Sequence, residues 1–163
     1  MTFLSSAIAS LSATPARVRA LIAGLSEEQL SFTPGRETFS IRENVAHLRD
    51  IDLLGYEQRL RRTLTESQPS LPDLNGAALA LERDYAHQPV GLALETFEAS
   101  RARSVERLRQ VTEAELERTA VYEGTGVVTL RRILELWLEH DAGHLEEIAL
   151  LRSGEAKPSR SVA

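Results

Sequence analysis

Two of the four histidines in this 163-residue chain stand four apart, in Trp137-Leu-Glu-His-Asp-Ala-Gly-His-Leu-Glu-Glu147. On a helix this spacing stacks two imidazoles one turn apart on one face, where both can converge on a single ion. The His-x3-His pattern suits zinc, and imidazole also suits nickel, copper and iron. Such a pair arises often by chance, and its ordinary reading is two polar residues at the rim of a helical core. His47 changes the balance. It sits 7 residues past a helix-capping Ser40, and His140 sits 11 past a helix-capping Thr129. The offset is about one helical turn, so His47, His140 and His144 meet at one level if their helices pack side by side. Three imidazoles on a four- to six-coordinate ion leave positions for water or substrate, the pattern of a catalytic site. Such an ion lowers the pKa of a bound water or polarises a substrate oxygen or thiolate.

Metal-ligating histidines usually donate their second N–H to a carboxylate or carbonyl. Asp141, Asp50 and Glu43 are the candidates here. Asp141 comes first, because it falls on the apolar arc with Trp137 and Ile148; Glu43 already has a capping role. His87, beside Pro89, reads as a surface residue. Arg101 interrupts an apolar stripe, which predicts an ion pair with an internal carboxylate such as Asp52. Trp137 reads as core, with a pocket wall as the alternative.

The bulk properties narrow the classes. A net charge of −5 argues against nucleic acid, whose phosphates need a basic face. The absence of cysteine excludes disulfides, thiolate ligands and a cysteine nucleophile. No apolar run reaches membrane-spanning length, and the N-terminus lacks the basic start of a signal peptide. The expectation is a soluble, cytoplasmic domain.

Helical periodicity marks four long segments that would carry these residues. The first runs from about Phe3 to Leu25; Pro15 should kink or split it, with Thr14-Pro15 capping a second piece. The second runs from the capping box Ser40-Ile-Arg-Glu43 to about Glu66. A loop with Pro69, Pro72 and Asn75-Gly76 follows. The third covers about Pro89–Gln110 and the fourth Leu130–Arg152, capped by Thr129 and ended by Gly154. A weak repeat places a Ser/Thr-x-x-Gln/Glu box at Ser26 and again at Thr112, each opening about one helical turn. The glycines at Gly124 and Gly126 read as a turn. Strand-like alternation is limited to a few residues around Thr119–Val121. The predicted fold is all-α: a single-domain four-helix bundle over residues 1–153 with short accessory helical turns, and a disordered tail over 154–163.

Thr14-Pro15, Phe39-Ser-Ile-Arg-Glu-Asn-Val-Ala-His47, Phe97-x3-Arg101, Thr129-Leu130 and His140-x3-His144-Leu145-x2-Ile148 together resemble the DinB-like (damage-inducible-protein-like) four-helix bundles. Phe39 stands where many members have tryptophan. The resemblance implies an up-down-down-up order, frequent homodimers, and a divalent metal, Zn2+ or Ni2+, on His47, His140 and His144. Family activities include transfer of low-molecular-weight thiols such as bacillithiol, and a mycothiol-dependent isomerase. It thus implies a thiol S-transferase acting on a small-molecule electrophile. A metal-dependent hydrolase is the alternative, and a non-catalytic, stress-associated metal-binding dimer a further one.

Overall fold

The computed structural model describes residues 1–156. Most of the expected tail therefore lies outside the described residues. Four helical rods dominate: α1 (Phe3–Ile22), the rod beginning with α3 (Ile41–Asp50), α6 (Val90–Leu108) and α7 (Leu130–Ser153). A one-turn helix α2 (Glu27–Ser31) precedes α3. The α3 rod passes through a π-helical segment, Ile51–Tyr56, into α4 (Glu57–Thr65).

Cross-helix pairs fix the directions. Phe3 and Leu21 of α1 meet Arg131 and Arg152 of α7, so these two run parallel. Leu11 and Arg19 meet Arg101 and Glu98, so α1 and α6 are antiparallel. Asp52 and Glu57 meet Arg101 and Arg103, so the second rod is parallel to α6. Asn44 and His47 meet His144 and His140, so it is antiparallel to α7. The order is up-down-down-up, as the resemblance implied.

Local chemistry sets most boundaries as expected. Ser40 and Glu43 form a reciprocal capping box, Thr129 caps α7, and Gly154 closes it in the left-handed region at φ 75°. Ser26/Gln29 and Thr112/Glu115 form the two repeated boxes, the second opening a 3-10 turn, Glu113–Glu117.

Three expectations need correction. Pro15 does not split α1, which is continuous, and Thr14 is no cap: its hydroxyl donates to the Ser10 carbonyl within the helix. The missing proline N–H leaves the Leu11 carbonyl open, and the Arg101 Nη1 donates to it at 2.9 Å. The 67–88 connection is structured. It contains strand β1 (Ser70–Leu71), helix α5 (Gly76–Glu82) capped by Asn75, and a 3-10 turn at Tyr85–His87. A small sheet is also present. β2 (Thr119–Tyr122) and β3 (Gly126–Thr129) form a hairpin, and β1 pairs parallel with β2. Gly124 and Gly126 occupy positive φ, which makes this turn cheap for glycine alone.

The core has two apolar parts. One gathers Leu11, Leu60, Leu108, Leu130 and Trp137; the other Val18, Val45, Phe97, Leu145 and Ile148. Between them lies a buried polar layer. Arg101 donates from Nε to Asp52 at 2.8 Å, and from Nη1 and Nη2 to Asp141 at 2.6 and 3.1 Å. Ser100 donates to the second Asp52 oxygen at 2.6 Å. The expected Arg101–Asp52 pair is thus present, and Asp141 completes a triad that ties three helices together.

Candidate metal centre and its cleft

His47 comes from α3, and His140 and His144 from α7. His47 Nε2 and His140 Nε2 are 3.0 Å apart. One ligand nitrogen from each of the three rings lies within 4.8 Å of the others. With metal–nitrogen distances of about 2.0–2.1 Å, one ion fits among such atoms after small adjustments.

Two features point the nitrogen lone pairs inward. Asn44 donates its Nδ2 to the Ser40 carbonyl at 3.0 Å, so its Oδ1 is the free end and can only accept. That oxygen lies 2.7 Å from His144 Nδ1, so Nδ1 carries the proton and Nε2 keeps its lone pair. Burial, with the neighbouring His144 and His140, holds the His47 pKa down at about 2. Burial also lowers His140, against the opposing pull of Asp141. The His47 and His140 rings are therefore neutral, and their facing nitrogens need a shared proton or a cation between them. The set can hold a divalent metal ion.

The surroundings differ from the expected ones. Asp141 Oδ1 is 3.9 Å from His140 Nδ1, beyond hydrogen-bond distance, because both its oxygens are held by Arg101. Burial pushes the Asp141 carboxyl up, but the Arg101 charge overrides this and holds it below the usual range. Asp50 does not reach His47. It accepts from the Tyr85 hydroxyl and Arg49, both at 2.8 Å. Glu43 stays in its capping box, on the Ser40 N–H. The residue that orients a histidine is Asn44, on the helical face of His47 three positions earlier; that spacing was the available signal. His47 Nδ1 is buried without a partner. Gly76, at the start of α5, covers this ring. A Cβ there would lie 2.5 Å from His47 Cε1, a distance real structures do not tolerate. His87 is remote and exposed, paired with Asp84, as expected.

The three histidines open onto a cleft of about 660 Å³, walled by Phe39, Ile51, Tyr56 and Leu74 and reached by Arg59 and Tyr122. The π-helical segment shapes it. One added residue widens the buried stripe, so that Tyr56 and Leu60 turn inward beside Gly55 and Arg59. Tyr56 stacks on Trp137 with ring centroids 4.9 Å apart and planes 5° apart, and its ring lies 5.8 Å from that of His140. Trp137 is therefore core, supporting the cleft wall from behind. No described helix is long and apolar enough to cross a membrane.

A family model described as DinB superfamily matches residues 10–148, and the chain belongs to that superfamily. A Halalkalibacterium halodurans protein named "Putative metal-dependent hydrolase" is 28% identical over 148 residues, covering 90% of this chain and 85% of the relative. A Bacillus licheniformis protein of the same description is 31% identical over 143 residues, covering 86% of this chain and 80% of the relative. The solved structure of YfiT from Bacillus subtilis matches with a TM-score of 0.86 and 22% identity, covering 96% of this chain and 91% of that one. YfiT is described as a probable metal-dependent hydrolase with an unusual four-helix bundle topology. At that identity the likeness shows the fold.

Proposed function

We propose that His47, His140 and His144 hold one divalent metal ion, and that the protein is a metal-dependent enzyme acting on small molecules in the adjoining cleft. The convergence of three imidazoles at the cleft floor carries the reading, with His144 Nδ1 held by Asn44. Zn2+ and Ni2+ both suit an all-imidazole set. A bound ion of this kind acidifies a coordinated water or thiol and polarises a substrate oxygen. The chain's own residues do the rest. Asn44 keeps the His144 lone pair aimed inward, Gly76 excludes solvent from one face of His47, and Tyr56 and Phe39 supply apolar walls. Hydrolysis is the favoured reaction, supported by the descriptions of the sequence relatives.

Thiol transfer to a small electrophile is the second reading. One observation favours it: the carboxylate nearest His140, Asp141, is occupied by Arg101, so it is not available as a general base for water. A thiol needs less help, because its own pKa lies much nearer neutrality than that of water.

Metal analysis of untagged protein against the His47→Ala/His140→Ala/His144→Ala variant tests the site. One equivalent in the wild type and none in the variant is expected; equal content would overturn the reading. Metal-loaded protein is then assayed on activated esters and amides, and on a chlorinated aromatic with a low-molecular-weight thiol. Ester or amide turnover abolished by chelation supports hydrolysis; thiol-dependent turnover alone supports transfer.

A further inference from the structure

We infer that Arg59 is the anion anchor of the cleft: the molecule taken there carries a carboxylate, held by this guanidinium while its reacting end lies at the histidines. The inference rests on the reading of the cleft as a metal-dependent active site and names the ligand class.

Arg59, on α4, is only 4% exposed. Its guanidinium carbon lies 4.9 Å from the Tyr56 ring centroid and 4.6 Å from that of Tyr122, so two aromatic rings fix it. A guanidinium has five N–H donors. Among the described residues this one makes a single hydrogen bond, from Nη2 to the Pro72 carbonyl at a long 3.3 Å. Its Nε is buried without a partner. The nearest carboxylate oxygen, Asp73 Oδ1, is 3.6 Å away and already accepts from the Leu74 N–H and the Tyr122 hydroxyl. Glu123, also at the cleft, is turned onto the Asp73 N–H.

Arg101 provides the contrast. It is as buried as Arg59, yet its Nε, Nη1 and Nη2 all donate to oxygens. Arg101 is satisfied by the fold. Arg59 is nearly as buried, yet its Nε is unpaired and its Nη1 has no acceptor among the described residues, so the guanidinium has donors to spare for an acceptor in the cleft. The planar fork matches a carboxylate, which can take two parallel hydrogen bonds. One aromatic ring, Tyr56, separates this fork from His140. A small molecule can therefore span the two. The carboxylates of Asp73 and Glu123 at the rim oppose a polyanion, which leaves a small, singly anchored acid as the fitting ligand.

Isothermal titration of Zn2+-loaded protein with N-acetylcysteine and with its amide, which lacks the carboxylate, tests the anchor. The acid should bind the wild type at least about tenfold more tightly, as a charge-assisted pair in a desolvated site implies. Arg59→Met should abolish that preference, Arg59→Lys should retain part of it, and Zn2+ affinity should be unchanged in both. If Arg59→Met does not fold, the wild-type comparison and Arg59→Lys decide. Equal titration of acid and amide in the wild type, including binding of neither, overturns the anchor, as does a preference that survives in folded Arg59→Met. The metal reading fails separately. A triple-alanine variant that takes up as much Zn2+ as wild type removes that reading, while a persisting acid preference leaves the Arg59 anchor standing.

Discussion

Asn44 Oδ1 accepts a hydrogen bond from His144 Nδ1 at 2.7 Å, across the seam between α3 and α7. The same amide donates to Ser40, so its orientation is fixed by the helix cap and its acceptor end cannot turn away. Asn44→Ala should weaken metal binding about 10–100-fold, the usual effect of removing a residue that orients a ligand. Asn44→Asp retains an acceptor and should lose less. Competition against a chelating indicator measures both, and an unchanged affinity in Asn44→Ala would show that the bond is incidental.

Gly76→Ala should separate metal affinity from stability. The new methyl would stand 2.5 Å from His47 Cε1 and 3.0 Å from Nδ1, so either the imidazole or the start of α5 must move. No residue of α5 is buried, and alanine is the better helix former by about 1 kcal/mol in a helix interior. The metal-free protein should therefore melt within a few degrees of wild type while metal affinity falls. A large loss of melting temperature without a loss of affinity would mean that α5 serves the fold instead.

The buried triad predicts a larger cost. Arg101→Leu leaves Asp52 and Asp141 facing each other without their shared cation, and removal of one partner from a buried ion pair costs about 3–5 kcal/mol. It also strands the Leu11 carbonyl that Pro15 left open. Urea unfolding of metal-free protein should show that loss. The fuller variant Asp52→Asn/Arg101→Leu/Asp141→Asn should recover part of it. A loss below about 1 kcal/mol, the range of exposed ion pairs, would argue against a dry polar layer.

How much of this was legible beforehand follows from what carries information locally. The four rods, the Ser40 and Thr129 caps and the Gly154 stop were legible because helix periodicity and capping residues act over three to seven positions. The histidine cluster was legible because the helical turn sets the spacing of His140 and His144, and the matching caps set the level of His47. Asp50 and Asp141 went elsewhere because tertiary partners, Tyr85 and Arg101, compete for them from distant segments. Of the sheet only β2 was legible, as the alternation around Thr119–Val121; β1 and β3 escaped because they are two and four residues long, too short for a period-two pattern to register. The π-helical segment left no signature, so the joint burial of Tyr56 and Leu60 with Arg59 could not be read. Pro15 misled because the Leu11 carbonyl it frees is satisfied by Arg101, 90 residues from Leu11 in the chain, which lets the helix continue.

Acidification should destabilise the metal-free protein through His47. Its folded pKa of about 2 lies below the ordinary 6.5, because burial and the two neighbouring histidines disfavour a charged ring. Between those values the unfolded chain binds a proton that the folded chain does not, so stability rises with pH across this window. The contribution is fully present above about pH 6.5 and is lost as the pH falls toward 2, at up to about 1.4 kcal/mol per pH unit. His140 is lowered too, chiefly by burial, and adds in the same direction. His47→Gln cannot titrate, so its urea midpoint should fall less steeply between pH 6.5 and 4.5 than that of wild type, both measured with chelator. Parallel profiles for the two proteins would mean that His47 takes up its proton in the folded state, and that the closed, neutral site does not persist without its ion.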